Sequence, residues 1–412
     1  MSKFRPFSGV RYARGDLSRV LAAPYDVVTP ETQQDLIARD RHNVLIIDNP
    51  AGGITNEETR THPYASAAGT LSQWLDQAVL RLDQDPSAYV VSHEFPSTLG
   101  GTREIRRGVI GLLPALPWRD GVVLPHENTF RGPKQDRLAL MRATQTQTSP
   151  IFAMWAGAPE MSGLLDEAMA GQTDAAGDID GELGSEHLRL WRISDSALSR
   201  RLAEAISTAT LYIADGHHRY ETAVAFAQES QTESPSVLAY LADARDPGMC
   251  LLPTHRLVKF APDSVLPDAE SIAGRPRSPW TSEALPADAE PADALAGRSG
   301  LHAFVVATRS GTYLFTRPRG ATSSPLDGLD VQVLHQELLP AWDVGDSSTL
   351  WFERDVASAL ESVRTGAADV AFLMAPPTVD DVIRVADAGE TMPQKSTYFY
   401  PKVPTGLVLY CL

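Results

Sequence analysis

The sequence predicts an α/β (α+β) protein built from several units, and three observations carry that prediction. Its 412 residues are too many for one ordinary core, so length points to two or three domains. Hydrophobic residues make up 43% of the chain, the share of a globular protein. Short apolar runs such as Leu211-Tyr212-Ile213-Ala214 alternate with stretches of helical spacing such as Leu71, Trp74, Leu75, Ala78 and Val79.

The first unit is expected over residues 1–104. Ala22-Ala23-Pro24-Tyr25-Asp26-Val27-Val28 reads as an extended stretch. Thr29 then offers an N-cap with Pro30 at the first helical position, and the helix should run to about Asp40. Val44-Leu45-Ile46-Ile47 reads as a buried strand, and Tyr89-Val90-Val91 begins another.

The second unit is expected over residues 105–260. Val109 to Leu113 and Val122-Val123-Leu124 are strand-like, and Pro133 through Gln147 helical. Leu211 to Ala214 is a strand that stops at Asp215-Gly216, and a helix follows from Arg219 through Gln228. Gly171 to Gly184 is rich in Asp and Gly and reads as a surface loop. The third unit is expected over residues 261–412. Pro276 to Gly300 suits a linker or a surface helix after Pro291. His302 to Val306 and Tyr313 to Phe315 flank Ser310-Gly311 as a hairpin would. The tail carries Tyr398-Phe399-Tyr400 and Leu407-Val408-Leu409.

Composition excludes several classes. A net charge of −16 repels nucleic acid, and no Lys/Arg run supplies a local basic face. No apolar run is long enough to span a bilayer, so no membrane partner is expected. Met1-Ser2-Lys3-Phe4-Arg5-Pro6 lacks the apolar stretch of a signal peptide, and the expected location is cytoplasmic. Two cysteines, Cys250 and Cys411, are too few for a thiolate metal site and read as ordinary, partly buried thiols. There is no GxxxxGK[ST] loop, no GxGxxG after a strand, no HExxH and no GxSxG elbow.

The strongest chemical signal is the strand-to-helix transition ending in Asp215-Gly216-His217-His218-Arg219. Helix N-termini expose N–H groups and a positive dipole end, where phosphate settles. Gly216 lets a ligand approach the backbone, His217 and His218 add donors, and Arg219 can grip phosphate with two parallel bonds. Asp215 is suited to position a hydroxyl or a magnesium-bound water. The bland alternative has Asp215 capping the helix and the histidines bonding nearby carbonyls. Two adjacent His and an Arg at one helix start gain little in that role.

A second signal is Leu124-Pro125-His126-Glu127-Asn128-Thr129-Phe130, followed by Lys134, Asp136 and Arg137. Glu127 follows a strand end, as a general base often does. Lys134 and Arg137 share a helix face and could hold an anion, or could simply be solvated charges. A third is Leu252-Pro253-Thr254-His255-Arg256, which offers a further anion contact or an exposed strand edge. Tyr25, Asp26, His93, Glu94, Lys395 and Lys402 read as structural, and Arg103, Arg106 and Arg107 as a solvated face.

These blocks resemble, nearly end to end, a bacterial and archaeal family long described as a domain of unknown function. The resemblance is carried by Ala22-Ala23-Pro24-Tyr25-Asp26-Val27, Leu124-Pro125-His126-Glu127-Asn128-Thr129 and Pro133-Lys134-Gln135-Asp136-Arg137-Leu138. It continues in Arg142-Ala143-Thr144, Ser149-Pro150-Ile151-Phe152, Ala214 through Ala223, Leu252 through Arg256, and Tyr398-Phe399-Tyr400-Pro401-Lys402. His93 departs from the pattern, which has Gln there.

In its middle portion that family is similar to the ParB/sulfiredoxin superfamily, which includes free serine kinases with a Pro-His-Glu segment upstream of DGHHR. The resemblance implies a ParB/sulfiredoxin-like core with flanking N- and C-terminal α/β units. It also implies phosphotransfer between a nucleotide and serine or phosphoserine, in either direction or as phosphate release by a phosphatase, with ADP or ATP and Mg2+ as cofactors and Glu127 as base. Asp215 and His218 would act with it, and Gly216, His217, Arg219, Lys134, Arg137, His255 and Arg256 would bind phosphate or nucleotide. Asp215 would also be a possible magnesium ligand. The alternatives are a ParB-like nucleotide-binding switch without turnover, and a metal-dependent hydrolase using His217, His218 and His255. Adjacent residues on a helix point about 100° apart, which disfavours one metal shared by His217 and His218.

Overall fold

Apolar strand runs gather into two separately packed units in the computed structural model. It describes residues 3–52, 62–97, 101, 103–127, 132–262, 264, 268–274, 278–298, 300–345 and 348–412. One unit comprises Met1–Pro125, Thr129–Cys250 and Phe399–Leu412, and the other His126–Asn128 and Leu251–Tyr398. The fold is mixed α/β, as expected. Among the described residues no helix is long and apolar enough to cross a membrane.

The first unit is built on a seven-stranded sheet. Its strands are β1 (Ala88–Pro96), β2 (Arg103–Pro114), β3 (Ile151–Ala156), β4 (Ala175–Gly181), β5 (Gly184–Ile193), β6 (Thr210–Asp215) and β7 (Ser236–Asp243), in the order β4-β5-β1-β2-β7-β3-β6. The residue 104/105 boundary expected from sequence falls inside β2, whose neighbour β1 lies on the other side of that boundary. β7 pairs antiparallel with β2, Tyr240 opposite Ile110, and parallel with β3, Leu241 opposite Ala153. A strand flanked on both sides is buried along its length, which is why Val237 through Ala242 is a continuous apolar run.

Two glycines make the close approaches possible. A Cβ on Gly108 would lie 2.3 Å from the Leu241 carbonyl oxygen, and one on Gly111 would lie 2.2 Å from the Phe4 ring. One core cluster joins Val90, Val109, Trp155, Leu202, Ile213 and Leu241.

Helices of this unit start where the sequence signals them. In α1 (Pro30–Arg39) the Thr29 hydroxyl accepts the Thr32 N–H at 3.2 Å. The run Val44-Leu45-Ile46-Ile47 is not a strand: Leu45–Asp48 forms the short helix α2, and Asp48 N–H bonds the Val44 carbonyl. A four-residue apolar run suits a buried helix as well as a buried strand. Tyr25, Asp26 and Val27 form a turn rather than an extended stretch, closed by Val27 N–H to the Pro24 oxygen.

In α3 (Pro63–Asp76) Leu71 and Trp74 face the core. The helix stops before Ala78, which sits at φ +55°. The helix over residues 133–147 is observed as α4 (Gly132–Thr144), and α5 (Met161–Met169) and α6 (Ser196–Thr208) follow it. Of Val122 to Leu124 only Leu124 pairs, as a single parallel bridge to Tyr212. The Asp/Gly-rich segment expected as a loop is the β4–β5 hairpin. Its Asp residues hid an alternating strand, and a Cβ on Gly177 would lie 2.7 Å from the Ser18 nitrogen.

The second unit holds a six-stranded sheet. Its strands are β8 (His255–Phe260), β9 (Thr281–Ala284), β10 (Leu301–Thr308), β11 (Gly311–Pro318), β12 (Ser348–Glu353) and β13 (Val370–Leu373), in the order β9-β11-β10-β13-β8-β12. β10 and β11 form the hairpin expected around Ser310-Gly311, with Phe304 opposite Phe315. The segment 276–300, expected as a linker or as a surface helix after Pro291, contains β9 and a short helix, Pro291–Leu295. Helix Val379–Asp387 opens on a capping box between Thr378 and Asp381.

Candidate functional site

The candidate site of the first unit lies at the end of the edge strand β6. There the ladder with β3 shifts register, since Phe152 lies opposite Asp215 while Ala153 lies opposite Ile213. Such bulges re-aim a side chain at the end of a strand. Gly216 follows at φ +87°, a backbone conformation that L side chains rarely adopt. α7 (His217–Ser230) begins at once, two residues earlier than expected, with Gly216, which has no side chain to cap it, at the N-cap position. The start of a four-turn helix thus presents backbone donors next to Asp215.

Asp215 sits between two cations. Its Oδ1 accepts from Lys402 Nζ at 2.6 Å and its Oδ2 from Arg219 at 2.7 Å. All three side chains are less than one-fifth exposed. Burial alone would raise the Asp215 pKa, but the charges of Lys402 and then Arg219 outweigh it and hold the carboxyl well below its usual range. Arg219 also donates to Ser149 Oγ at 2.8 Å and to the Pro150 carbonyl. Its guanidinium fork is therefore fixed by protein groups rather than splayed into solvent.

His217 is buried, with its ring 6.2 Å from Trp118, which in turn stacks on Tyr220 at 4.1 Å. His218 is half-buried, and its carbonyl accepts the Thr222 hydroxyl at 2.7 Å.

Lys134 and Arg137 take different directions from α4. Lys134 pairs with Glu221 of α7, which also accepts the Trp118 indole N–H at 2.9 Å. Arg137 turns inward. Its guanidinium lies 4.1 Å from the centre of the Tyr25 ring and donates to Asp136 at 2.6 Å and to the Asp48 carbonyl at 2.5 Å. Arg137 and Arg219, with Asp48, Ser149 and Thr222, line one cavity of about 40 Å³. On this scale that is room for a few water molecules.

The second unit contains the other expected residues. Asn128, Thr129 and Phe130 lie outside the described residues. Glu127 accepts the Lys395 N–H at 2.9 Å and the Thr397 hydroxyl at 3.3 Å. Arg256 is fully buried rather than on an exposed edge. It donates to the Lys395 carbonyl at 3.1 Å and to the Thr254 carbonyl, so Glu127 and Arg256 hold the two sides of one residue. Burial lowers the Arg256 pKa to about 10, against the opposing pull of Glu127. Burial, then Arg256, pushes His255 down to about 4. The His255 Nδ1 accepts the Met374 N–H at 3.3 Å, which makes it the unprotonated ring nitrogen.

Magnesium prefers six oxygen ligands. Both Asp215 oxygens already take cationic donors, so this arrangement does not fit a magnesium ion held by Asp215. Among the described residues no three His, Cys, Asp or Glu side chains gather as a metal ion would need.

Sequence reasoning missed Lys402, Ser149 and Arg106. Lys402 and Ser149 stand inside blocks noted for other reasons, and only the fold brings them to Asp215 and Arg219. Arg106 was expected on a solvated face and is fully buried. Cys250 is half-buried and Cys411 is exposed, so only the former matches expectation.

No curated protein matches the chain. Among solved structures it is similar to a conserved hypothetical protein from Pyrococcus furiosus, with 16% identity, 71% of this chain and 92% of that one covered, and a TM-score of 0.37. It is also similar to a mutant free serine kinase in complex with AMP, with 15% identity, 76% and 95% covered, and a TM-score of 0.40. A third is SbnI with a C-terminal truncation from Staphylococcus aureus, with 13% identity, 72% and 85% covered, and a TM-score of 0.35. The family model described as "Protein of unknown function (DUF1015)" matches residues 4–332, and the chain belongs to that family.

Proposed function

We propose that this protein transfers a phosphoryl group between an adenine nucleotide and serine or phosphoserine. The observation that carries the reading is the start of α7, opened by Gly216 and flanked by Lys402, Arg219 and His217. Phosphoryl transfer asks a protein mainly for positioning and charge neutralisation. Backbone N–H groups at a helix start supply both for a phosphate. The resemblance of Asp215 through Arg219 and of the Pro125-His126-Glu127 segment to free serine kinases supports the nucleotide and the acceptor. A ParB/sulfiredoxin-like core is part of the same proposal, as is magnesium arriving with the nucleotide.

In this reading Glu127 takes the proton of the serine hydroxyl. The oxygen then attacks the terminal phosphorus, and the bond to the leaving phosphate oxygen breaks. Asp215 keeps Lys402 and Arg219 in place, and His218 serves the transferred group. The reverse direction uses the same groups.

The test is turnover. Purified protein with magnesium and ATP should convert serine to phosphoserine, or run the reverse with ADP. Glu127→Gln keeps an oxygen for the Lys395 N–H but cannot take a proton, so the rate should fall at least about a hundredfold. Unchanged turnover in that variant removes Glu127 from the chemistry. No turnover with any adenine nucleotide removes the reaction.

A further inference from the structure

In the second unit, Val305 of β10 lies opposite Leu373, the last residue of β13. Beyond that pair the two strands part. β10 reaches back to Leu301, while the chain after β13 leaves as Met374-Ala375-Pro376-Pro377. Proline has no N–H for a ladder, so two in succession end the pairing. A cavity of about 240 Å³ opens there, with Leu295, Leu301, Ala303, Val331, Met374 and Pro376 on its wall. All its lining residues fall between Leu295 and Asp381, within the second unit, and none belongs to the α7 site.

Two polar groups on the wall are held in place but only partly used. Asp330 Oδ1 accepts the Nδ1–H of buried His302 at 2.8 Å and a guanidinium N–H of Arg319 at 2.8 Å. Arg319 is locked in turn by the Leu301 carbonyl at 2.9 Å and the Gly328 carbonyl at 2.7 Å. Asp330 Oδ2 takes no hydrogen bond from any of the described residues, and 17% of the side chain is exposed. Arg298 donates its Nε–H to the Ala294 carbonyl at 2.6 Å, which orients the guanidinium. Its two Nη atoms meet no acceptor among the described residues. Asp381, also on the wall, is already engaged. Its Oδ2 takes the Thr378 N–H at 2.9 Å and hydroxyl at 2.7 Å, and its Oδ1 pairs with Arg384.

We propose that this cavity binds a small aliphatic carboxylic acid that carries one amino or hydroxyl group. The carboxylate takes the open side of the Arg298 guanidinium, whose planar fork matches it. The amino or hydroxyl group donates to Asp330 Oδ2, with His302 and Arg319 as the positioning residues that hold the carboxylate of Asp330 still. The aliphatic body lies against Leu295, Leu301, Val331 and Met374. An apolar wall with a few oriented polar groups is the usual form of a small-molecule site. At about 240 Å³ it falls below the range of roughly 300–1,000 Å³ that suits drug-sized ligands, so its ligand is smaller than those. The proposal does not rest on the phosphotransfer reading.

The probes are leucine, its hydroxy-acid counterpart and the same acid with neither amino nor hydroxyl group, each titrated calorimetrically into the full chain. Leucine or the hydroxy acid should bind at one site per chain. Tighter leucine assigns an ammonium to Asp330, and a tighter hydroxy acid assigns a hydroxyl. The unsubstituted acid should bind at least about tenfold more weakly than the better of the two, because it leaves Asp330 Oδ2 without its donor. Arg298→Gln should weaken the better ligand at least about tenfold, and Arg298→Lys, which keeps the charge but not the fork, should fall between. An unsubstituted acid that binds equally well overturns the role of Asp330. Unchanged affinity in Arg298→Gln overturns the carboxylate assignment and with it this cavity as the site. No binding by any of the three overturns the proposal, and that result is read on the wild-type chain, independent of how any variant folds.

Discussion

Replacing Asp215 by Asn keeps its shape and removes its charge. Lys402 and Arg219, with side chains 9% and 11% exposed, then face each other without their shared carboxylate. Removing one partner of a buried pair costs about 3–5 kcal/mol, because the charge left behind is uncompensated. Asp215→Asn should lose that much at pH 7, measured by urea unfolding followed through tryptophan fluorescence. The pH dependence supplies a second check. The folded pKa of Asp215 lies below the unfolded value of about 4. Its contribution is thus fully present above pH of about 4 and is withdrawn as pH falls through the folded value. The gap between wild type and variant must narrow in acid. A loss under about 1 kcal/mol at pH 7, or a gap that is as wide in strong acid, contradicts the assignment of Asp215 as the centre of a charged cluster.

Two further outcomes follow from the geometry. His255 and His335 are both pushed to about 4 by burial, then by Arg256, against about 6.5 when unfolded. The unfolded chain binds more protons between those values, so stability is full above pH of about 6.5 and declines toward pH of about 4. NMR titration of the two imidazoles should show midpoints near 4, and a midpoint near 6.5 for either contradicts its burial beside Arg256. Gly108→Ala would drive a methyl into the Leu241 carbonyl, which belongs to backbone and cannot step aside. Overpacking of this kind costs about 1–3 kcal/mol, and a melting temperature equal to wild type would show that β2 and β7 are not this close.

Much of the architecture was legible because local signals and packing agreed. Thr29-Pro30 caps a helix, Ser310-Gly311 turns a hairpin, and Leu211 to Ala214 ends at Asp215 as a strand should. Failures came where local pattern was ambiguous or tertiary contact decided. Val44 to Ile47 has no period that separates strand from helix. Gly177 looked like loop glycine until Leu17 and Ser18 were seen packed against its α-carbon.

The site divides in the same way. Asp215 through Arg219 could be found in sequence because the signal is contiguous. Lys402 lies 187 residues from its partner Asp215, and no local pattern links them. Arg106 looked like one of three surface arginines, since sequence does not show which residues of a strand face aromatic rings.

The central claim is that the start of α7 holds a nucleotide phosphate. Calorimetric titration of ADP at low and high salt tests it most directly. The account predicts one site per chain whose affinity falls as salt rises, because the ligand is held largely by charge. Binding that ignores both salt and Gly216→Val would contradict it, since a side chain there is strained at φ +87° and would crowd Arg219.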